Sequence, residues 1–165
     1  MIKPNHVLKI TIPFLINVVA VLVLLSAAVT YKFVIQGQVT DSADGRTAIL
    51  LEGNERDLVL FEMRVFLESV QLITNGISEN DMTRVANAAR QSGSNAQMAV
   101  PGSLVGKLPL AFKKLGFDTH AGFDELALDA EQLGDRDHAL AQLNAILMNC
   151  VACHATYRFE VSAHN

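Results

Sequence analysis

An apolar stretch near the amino terminus limits what this chain can fold into. The residues from Ile10 to Tyr31 are apolar apart from a few scattered polar residues. As an α-helix, this stretch of about 22 residues would be roughly 33 Å long, which is enough to cross the hydrocarbon core of a bilayer. We therefore predict a single transmembrane helix within an anchor that comprises residues 1–36.

A cleavable signal peptide is the alternative to an anchor. Signal peptides have a shorter apolar region, of about 7–15 residues, that ends in small residues. The residues Ser26 to Ala28 provide a candidate cleavage site of this kind. The apolar run continues past it to Ile35, and it includes aromatic residues suited to a membrane interface. This continuation favours an uncleaved anchor.

The positive charges around the span predict its orientation. Lys3 and Lys9 precede the apolar stretch, whereas only Lys32 follows it closely. Loops that remain in the cytoplasm carry the excess of lysine and arginine. We expect the remainder of the chain on the periplasmic side of a bacterial inner membrane.

The chain after the anchor shows helical rather than strand periodicity. A polar segment, residues 37–46, reads as a short tether, and it is followed by one domain, residues 47–165. Four helical blocks are expected at residues 47–75, 78–91, 119–133 and 136–161, with a long connection at 96–118 that could hold one helical turn. Four helices of this length predict an all-α fold, a four-helix bundle behind one transmembrane helix.

Local signals set the predicted ends of these helices. Gly76 is expected to stop the first helix, a Ser-x-x-Asp pattern from Ser78 to Asp81 to cap the second, and Asp135 to cap the fourth. The core stripe of the first helix is predicted from a four-three spacing. It comprises Arg56, Leu60, Met63, Leu67, Val70 and Thr74.

A short motif near the carboxyl terminus carries the chemistry. Cys150, Cys153 and His154 form the pattern C-x-x-C-H, which is the attachment sequence for a c-type haem. Both thiols lie on one face of a helical turn, and each can add across a vinyl group of the porphyrin. His154 shares that face and can bind the iron as the proximal ligand. We predict one covalently attached haem c.

The motif has two alternative uses, zinc binding and dithiol redox chemistry. A zinc site needs about four ligands, and the other histidines of the chain are scattered singly. A redox-active dithiol would follow a strand in a βαβ pattern, which does not precede Cys150. Haem attachment is therefore the favoured interpretation, with zinc and a dithiol as alternatives.

The motif and its place in the chain resemble the cytochrome c′ family, the class II c-type cytochromes. The resemblance covers about residues 47–161 and rests on C-x-x-C-H near the end of a four-helix bundle, followed by Tyr157 and Arg158. It implies that Arg56 lies near a haem propionate, that Arg158 lies beside the proximal face, and that Leu60 lies above the iron. Arg56 could instead be a solvated surface charge, and Tyr157 an amphipathic core residue.

The position above the iron decides the expected coordination. Electron-transfer members of the family place a methionine there, and gas-binding members place an apolar residue. Leu60 matches the second pattern and predicts a five-coordinate iron. Met63, which lies one turn further along the helix, is the competing sixth ligand, although a methionine at this spacing is usually core filler.

The sequence predicts an electron carrier rather than an enzyme. The favoured function is that of a membrane-anchored mono-haem carrier, or a haem subunit of a respiratory or photosynthetic complex, because an anchor raises the effective concentration near membrane partners. The alternatives are an NO- or CO-binding cytochrome c′ and an accessory subunit. No catalytic constellation is visible, a net charge of −4 gives no nucleic-acid signature, and the resemblance allows a homodimer.

Overall fold

The computed structural model describes residues 4–162 and, within them, the side chains from Pro13 onward. The outer ends of the predicted anchor and haem domain, residues 1–3 and 163–165, lie outside the described residues, as do Lys3 and the side chain of Lys9. Six α-helices and three short strands form within residues 4–162. The mainly helical class predicted from the sequence is confirmed, but the small sheet was not predicted.

The first helix confirms an apolar amino-terminal helix. Helix α1 (Pro4–Thr30) continues into a wider π-helical turn, Tyr31–Gln36. The segment Pro13–Gln36 is long and apolar enough to cross a membrane, and none of it is buried against the rest of the chain. Helix α6 (Arg136–Thr156) passes the same test of length and composition, but it packs against other helices of the domain.

Three strands form a small sheet in the order β1-β2-β3. Strand β1 (Val39–Asp41) pairs antiparallel with β2 (Thr47–Leu51), and β2 pairs parallel with β3 (Tyr157–Val161). The expected tether, 37–46, is therefore a strand and a tight turn, and the start of the first expected helix is a strand. Strand β2 escaped prediction because it is buried on both faces and so lacks the alternation typical of exposed strands.

Four helices of the domain pack around one core. Helices α2 (Gly53–Glu79), α3 (Met82–Gln91), α5 (Leu110–Gln132) and α6 contact one another in a closed ring, α2 with α3, α3 with α5, α5 with α6, and α6 with α2. A 3₁₀ turn, Ser94–Ala99, and the short helix α4 (Gly102–Lys107) connect α3 to α5.

Several predicted helix ends were wrong. The connection expected at 96–118 contains α4 and the first turns of α5, because Pro101 and Pro109 immediately precede helices, where proline is tolerated. The fourth helix ends at Thr156 rather than near residue 161, and β3 follows it. The cap at Asp135 is confirmed, since its carboxylate accepts hydrogen bonds from the backbone N–H groups of residues 137 and 138.

Gly76 does not stop the first helix, which continues to Glu79 and ends where Asn80 adopts a left-handed conformation. The glycine instead permits close packing of two helices. A β carbon at Gly76 would lie 2.8 Å from Val85 Cγ2 and 3.0 Å from the Asp81 carbonyl oxygen. Gly76 thus lies at a close approach between α2 and the start of α3.

The predicted core stripe of α2 was only partly right. Leu67 is 70% exposed, whereas Val59, Ser69, Ile73 and Ile77 are buried. The buried face of α2 is therefore turned by about one residue from the predicted stripe. Part of the reason is Ser69, a polar core residue whose hydroxyl accepts a 2.8 Å hydrogen bond from Ser92, the residue directly after α3. Sequence patterns place serine on the surface.

The anchor is held against the domain by direct contacts. The Gln38 N–H donates to the Lys107 carbonyl at 2.7 Å, and Lys113 Nζ donates to the carbonyls of Phe33 and Val34 at 3.3 and 3.1 Å. Between these contacts, Gly37 has φ +69° and passes so close to Lys107 that a β carbon would overlap the Lys107 carbonyl oxygen. The end of the anchor is thereby joined to α4 and α5.

The close approach at Gly76 gives a stability prediction. Gly76→Ala should lower the free energy of unfolding by about 1–3 kcal/mol, because the added methyl group overlaps Val85 and the Asp81 carbonyl. Gly106→Ala in α4 is the matched control, since nothing lies within 4 Å of its β-carbon position, and it should change stability by at most about 1 kcal/mol in the favourable direction. Denaturant unfolding of the two purified variants measures both. Equal losses would contradict the packing described here.

Candidate functional site

The C-x-x-C-H motif occupies the last two turns of α6. Cys150 and His154 are four residues apart and therefore share a helix face, and Cys153 lies beside them on the same side. Cys150 and Cys153 are half-buried free thiols. The helix ends two residues after His154, where the chain turns into β3. The motif is therefore held between the helical core and the sheet.

A network of charges fixes the turn between α6 and β3. Arg46 Nη1 donates to the carbonyl oxygens of His154 and Tyr157 at 3.3 and 3.4 Å. Asp44 Oδ2 in turn accepts from Arg46 at 2.6 Å and from Arg158 at 3.2 Å. The Arg46 guanidinium and the Ser42 hydroxyl hold the pKa of the Asp44 carboxyl well below its usual range. Residues of the β1–β2 turn thus fasten the carboxyl end of the motif.

A cavity of about 340 Å³ lies beside the motif. Cys150, Cys153 and His154 all line it, together with Met63 of α2 and Phe112 of α5. Most of the other lining side chains are apolar, and they come from α2, α4, α5 and the segment between α3 and α4. They include Leu58, Val59, Phe61, Val65, Phe66, Ala96, Ala99, Val100, Leu104, Leu108 and Leu115.

Burial keeps both thiols protonated. It raises the pKa of Cys150 above its usual value, and burial together with the neighbouring Cys150 raises the pKa of Cys153 to about 11. Thiolates are the reactive form in redox dithiols, and their sites lower the pKa. The surroundings of the motif are therefore unlike those of a redox-active dithiol.

A partly buried pair, Glu62 and His120, also lines the cavity, with 26% of the Glu62 side chain exposed. His120 is only 4% exposed; its Nδ1 lies 2.8 Å from the Ser92 carbonyl oxygen, and its Nε2 lies 3.3 Å from Glu62 Oε1. The carbonyl oxygen and the carboxylate are hydrogen-bond acceptors, so this arrangement suits an imidazole that carries a proton on each ring nitrogen.

The electrostatics of His120 agree with this geometry. Burial alone would lower the pKa of His120, but the hydrogen bonds to Glu62 and to the Ser92 carbonyl outweigh it, and the pKa lies above its ordinary value. Sequence reasoning missed this pair because a single histidine near a predicted helix start reads as a surface residue. The only signal in the sequence is a helical periodicity that places His120 on the same face of α5 as Phe112, Thr119 and Phe123.

Of the three α2 residues that were expected near a haem, some line the cavity and others do not. Met63 lines the cavity, whereas Leu60 is half-buried and is not among the lining residues. Arg56 is also outside the cavity lining, and its guanidinium lies 3.8 Å from the carboxylate of Asp57 with 40% of its side chain exposed. Of the α2 residues expected near a haem, the structure brings only Met63 to the motif.

Tyr157 and Arg158 lie next to the cavity without lining it. The Tyr157 ring contacts Phe112 edge-on at 5.4 Å between ring centroids, so it supports a side chain that does line the cavity. Arg158 pairs with Asp44 and with Glu160, at 3.2 and 3.3 Å. Both residues belong to β3 rather than to the helix that carries the motif.

The cavity fits a group bound through the motif. Its volume falls within the range of about 300–1,000 Å³ that is usual for ligand and cofactor sites, which are mostly apolar with a few polar groups. Neutral, half-buried thiols beside apolar walls suit attachment of a large apolar ring. For zinc the fit is poor, because the part of the chain that the structure describes has no group of three or more His, Cys, Asp or Glu residues close enough to hold a metal ion.

Comparison with known proteins adds nothing to the geometry, because no protein-family model, curated protein or solved structure matches the chain.

The buried pair gives a second prediction. His120→Ala should lower the free energy of unfolding by about 1–3 kcal/mol beyond the loss of packing, because it removes the partner of the Ser92 carbonyl and of the Glu62 carboxylate. His138 also pairs with a carboxylate, at 3.0 Å from Asp129, but its side chain is 44% exposed, and His138→Ala should cost less than about 1 kcal/mol. Denaturant unfolding of both variants measures these changes in the free energy of unfolding. Similar losses in the two variants would show that the His120 pair is not buried as described.

Proposed function

We propose that this chain is a membrane-anchored c-type cytochrome that carries single electrons at the periplasmic face of a bacterial inner membrane. The observation that supports the proposal most strongly is that Cys150, Cys153 and His154 line one apolar cavity. The closed ring of α2, α3, α5 and α6 supports a four-helix bundle like that of the cytochrome c′ family. The sheet is a departure from that resemblance.

Each residue of the motif has a specific task in this proposal. Cys150 and Cys153 would hold the haem by thioether bonds, and His154 would bind the iron from the proximal side. When bound, the haem supplies a one-electron couple. Apolar walls formed by residues such as Val59, Leu104 and Phe112 lie beside the motif, and the environment around a haem sets its potential.

Met63 is the sixth ligand that the geometry favours. Its thioether is a donor, it is partly buried, and it lines the cavity with the motif. Leu60 has no donor atom and is not among the lining residues. A methionine and a histidine on one haem are the pair used by electron-carrying cytochromes c. The placement of α2 therefore favours electron transfer over the five-coordinate iron expected from Leu60.

The anchor supports a role at the membrane. Helix α1 is long and apolar enough to span a bilayer, and hydrogen bonds at Gln38 and Lys113 join its end to the domain. A carrier confined to the membrane surface encounters membrane-bound redox partners at a raised effective concentration. A quinol-oxidising or cytochrome complex is the class of partner that suits such a carrier.

Binding of NO or CO remains the second candidate. The observation that favours it is the size of the cavity together with its apolar lining, which would admit a small diatomic ligand if Met63 did not bind the iron. His120 also lines the cavity, but the Ser92 carbonyl oxygen and the Glu62 carboxylate already face its two ring nitrogens.

Optical spectra decide between these functions. The ferric and reduced protein should be low-spin and unaffected by CO, and Met63→Leu, which nearly conserves volume, should turn the iron high-spin and allow CO to bind. Leu60→Ala is the matched control, since it changes an apolar neighbour on α2 outside the cavity lining, and its spectrum should equal that of the wild type. A wild-type protein that already binds CO, with no spectral change in Met63→Leu, would contradict electron transfer through Met63 and favour gas binding.

A further inference from the structure

We infer that the first turns of α5 rest on the lipid surface and fix the orientation of the domain on the membrane. The face in question consists of Leu110, Lys113, Lys114 and Phe117, and we call it the basal face. These residues follow the spacing i, i+3, i+4 and i+7, so they form one stripe along the helix. The inference requires that α1 spans the membrane, but it does not depend on the haem.

The basal face has the composition of a membrane-surface helix. Leu110 is 45% exposed and Phe117 is 53% exposed, although both are large apolar residues. Lys114 has 74% of its side chain exposed, and its nearest acidic partner, Asp118, is 3.4 Å away on the same helix. Exposed aliphatic and aromatic groups next to lysines are typical of segments that lie in the headgroup region of a bilayer.

Contacts with the anchor place this face at the membrane. Lys113 Nζ donates to the carbonyl oxygens of Phe33 and Val34, which belong to the last turn of the apolar segment Pro13–Gln36. A residue bonded to the end of a transmembrane helix lies at the interface by necessity. Leu110 and Phe117, one turn on either side of Lys113, lie about 5 and about 6 Å from it along the helix axis and so stay close to the end of the anchor.

The distribution of lysine supports a negatively charged lipid surface as the partner. The lysines that follow the apolar stretch are Lys32, Lys107, Lys113 and Lys114. Lys32 lies in the last turn of the anchor, and the other three lie within eight residues of each other at α4 and α5. The positive charges elsewhere in the domain are arginines, and Arg46, Arg84, Arg90 and Arg158 pair with carboxylates. Lys107 pairs with Glu55 at 2.6 Å and is only 17% exposed, which leaves Lys32 and Lys114 as exposed lysines beside the anchor, suited to anionic headgroups.

The opposite face of α5 lines the cavity. Phe112, Leu115 and Thr119 are among the lining residues, and they project away from the basal face because a helix turns by 100° per residue. One helix diameter, about 10 Å, thus separates the cavity from the lipid surface. The orientation holds the motif at a fixed, short distance from the membrane in which redox partners reside.

Photo-crosslinking from lipid to protein tests the basal face directly. The full-length protein is reconstituted in nanodiscs of phosphatidylcholine and phosphatidylglycerol that contain a phosphatidylglycerol with a diazirine close to its headgroup, and labelled peptides are mapped by mass spectrometry. We expect label in residues 31–36 and 110–117 and none in residues 121–133. The carboxyl end of α5 serves as an internal control, since Leu133 is 61% exposed but lies about 24 Å along the helix from Phe117.

A charge-reversal pair tests the electrostatic part. Lys114→Glu should reduce the label in residues 110–117 about fivefold, with the label in residues 31–36 unchanged. Arg136→Glu makes the same change at an exposed position at the start of α6 and should leave both unchanged. Label in the anchor without label in residues 110–117 would overturn the basal face and leave the anchor intact. If the anchor carried no label either, both the basal face and the membrane-spanning anchor would be overturned, because nothing would then hold the domain at the membrane.

Discussion

The parallel pairing of β2 with β3 determines where the motif lies. Strand β2 follows the anchor and its short hairpin, whereas β3 follows directly after the motif, about a hundred residues later. Their hydrogen bonds therefore join the segment that follows the apolar amino-terminal helix to the carboxyl end of the chain. Such a long-range contact costs loop-closure entropy, and burial of Ile49 and Leu51 in the second core, beside Tyr157 and Phe159, offsets it. The pairing thus holds Tyr157 and Phe159 against Phe112 of the cavity wall, at 5.4 and 5.7 Å between ring centroids.

The cavity lies between two cores of different origin. The larger core is formed by the four packed helices, and the smaller one lies between the sheet, α2 and α4. Helix α2 passes from the smaller core to the larger, and its middle, at Glu62 and Met63, faces the space between them. In a mostly apolar pocket of this kind, a few polar groups are enough to orient a ligand and to select it. Here they include the pair of Glu62 with His120 and the motif itself, and the proposed electron transfer uses the motif.

Much of the helical framework could be predicted from the sequence, and the local features could be predicted best. The apolar helix at the amino terminus, the cap at Asp135 and the common face of Cys150, Cys153 and His154 depend on spacing within one helix. The sheet could not be predicted, because β2 is buried on both faces and β3 is only five residues long. The rotation of α2 was missed for a related reason. Ser69 is buried through a hydrogen bond to Ser92, a tertiary contact that no periodicity reveals.

The central claim is that Cys150 and Cys153 hold a haem, and the intact mass of the purified full-length protein tests it most directly. The protein is produced in cells that attach haem to exported cytochromes, and its mass is measured under denaturing conditions beside that of the Cys150→Ser, Cys153→Ser double variant. Our account predicts that the wild-type chain exceeds its sequence mass by one haem and that the double variant does not. A wild-type mass equal to that of the polypeptide alone, from cells that attach haem to a control cytochrome, would contradict it.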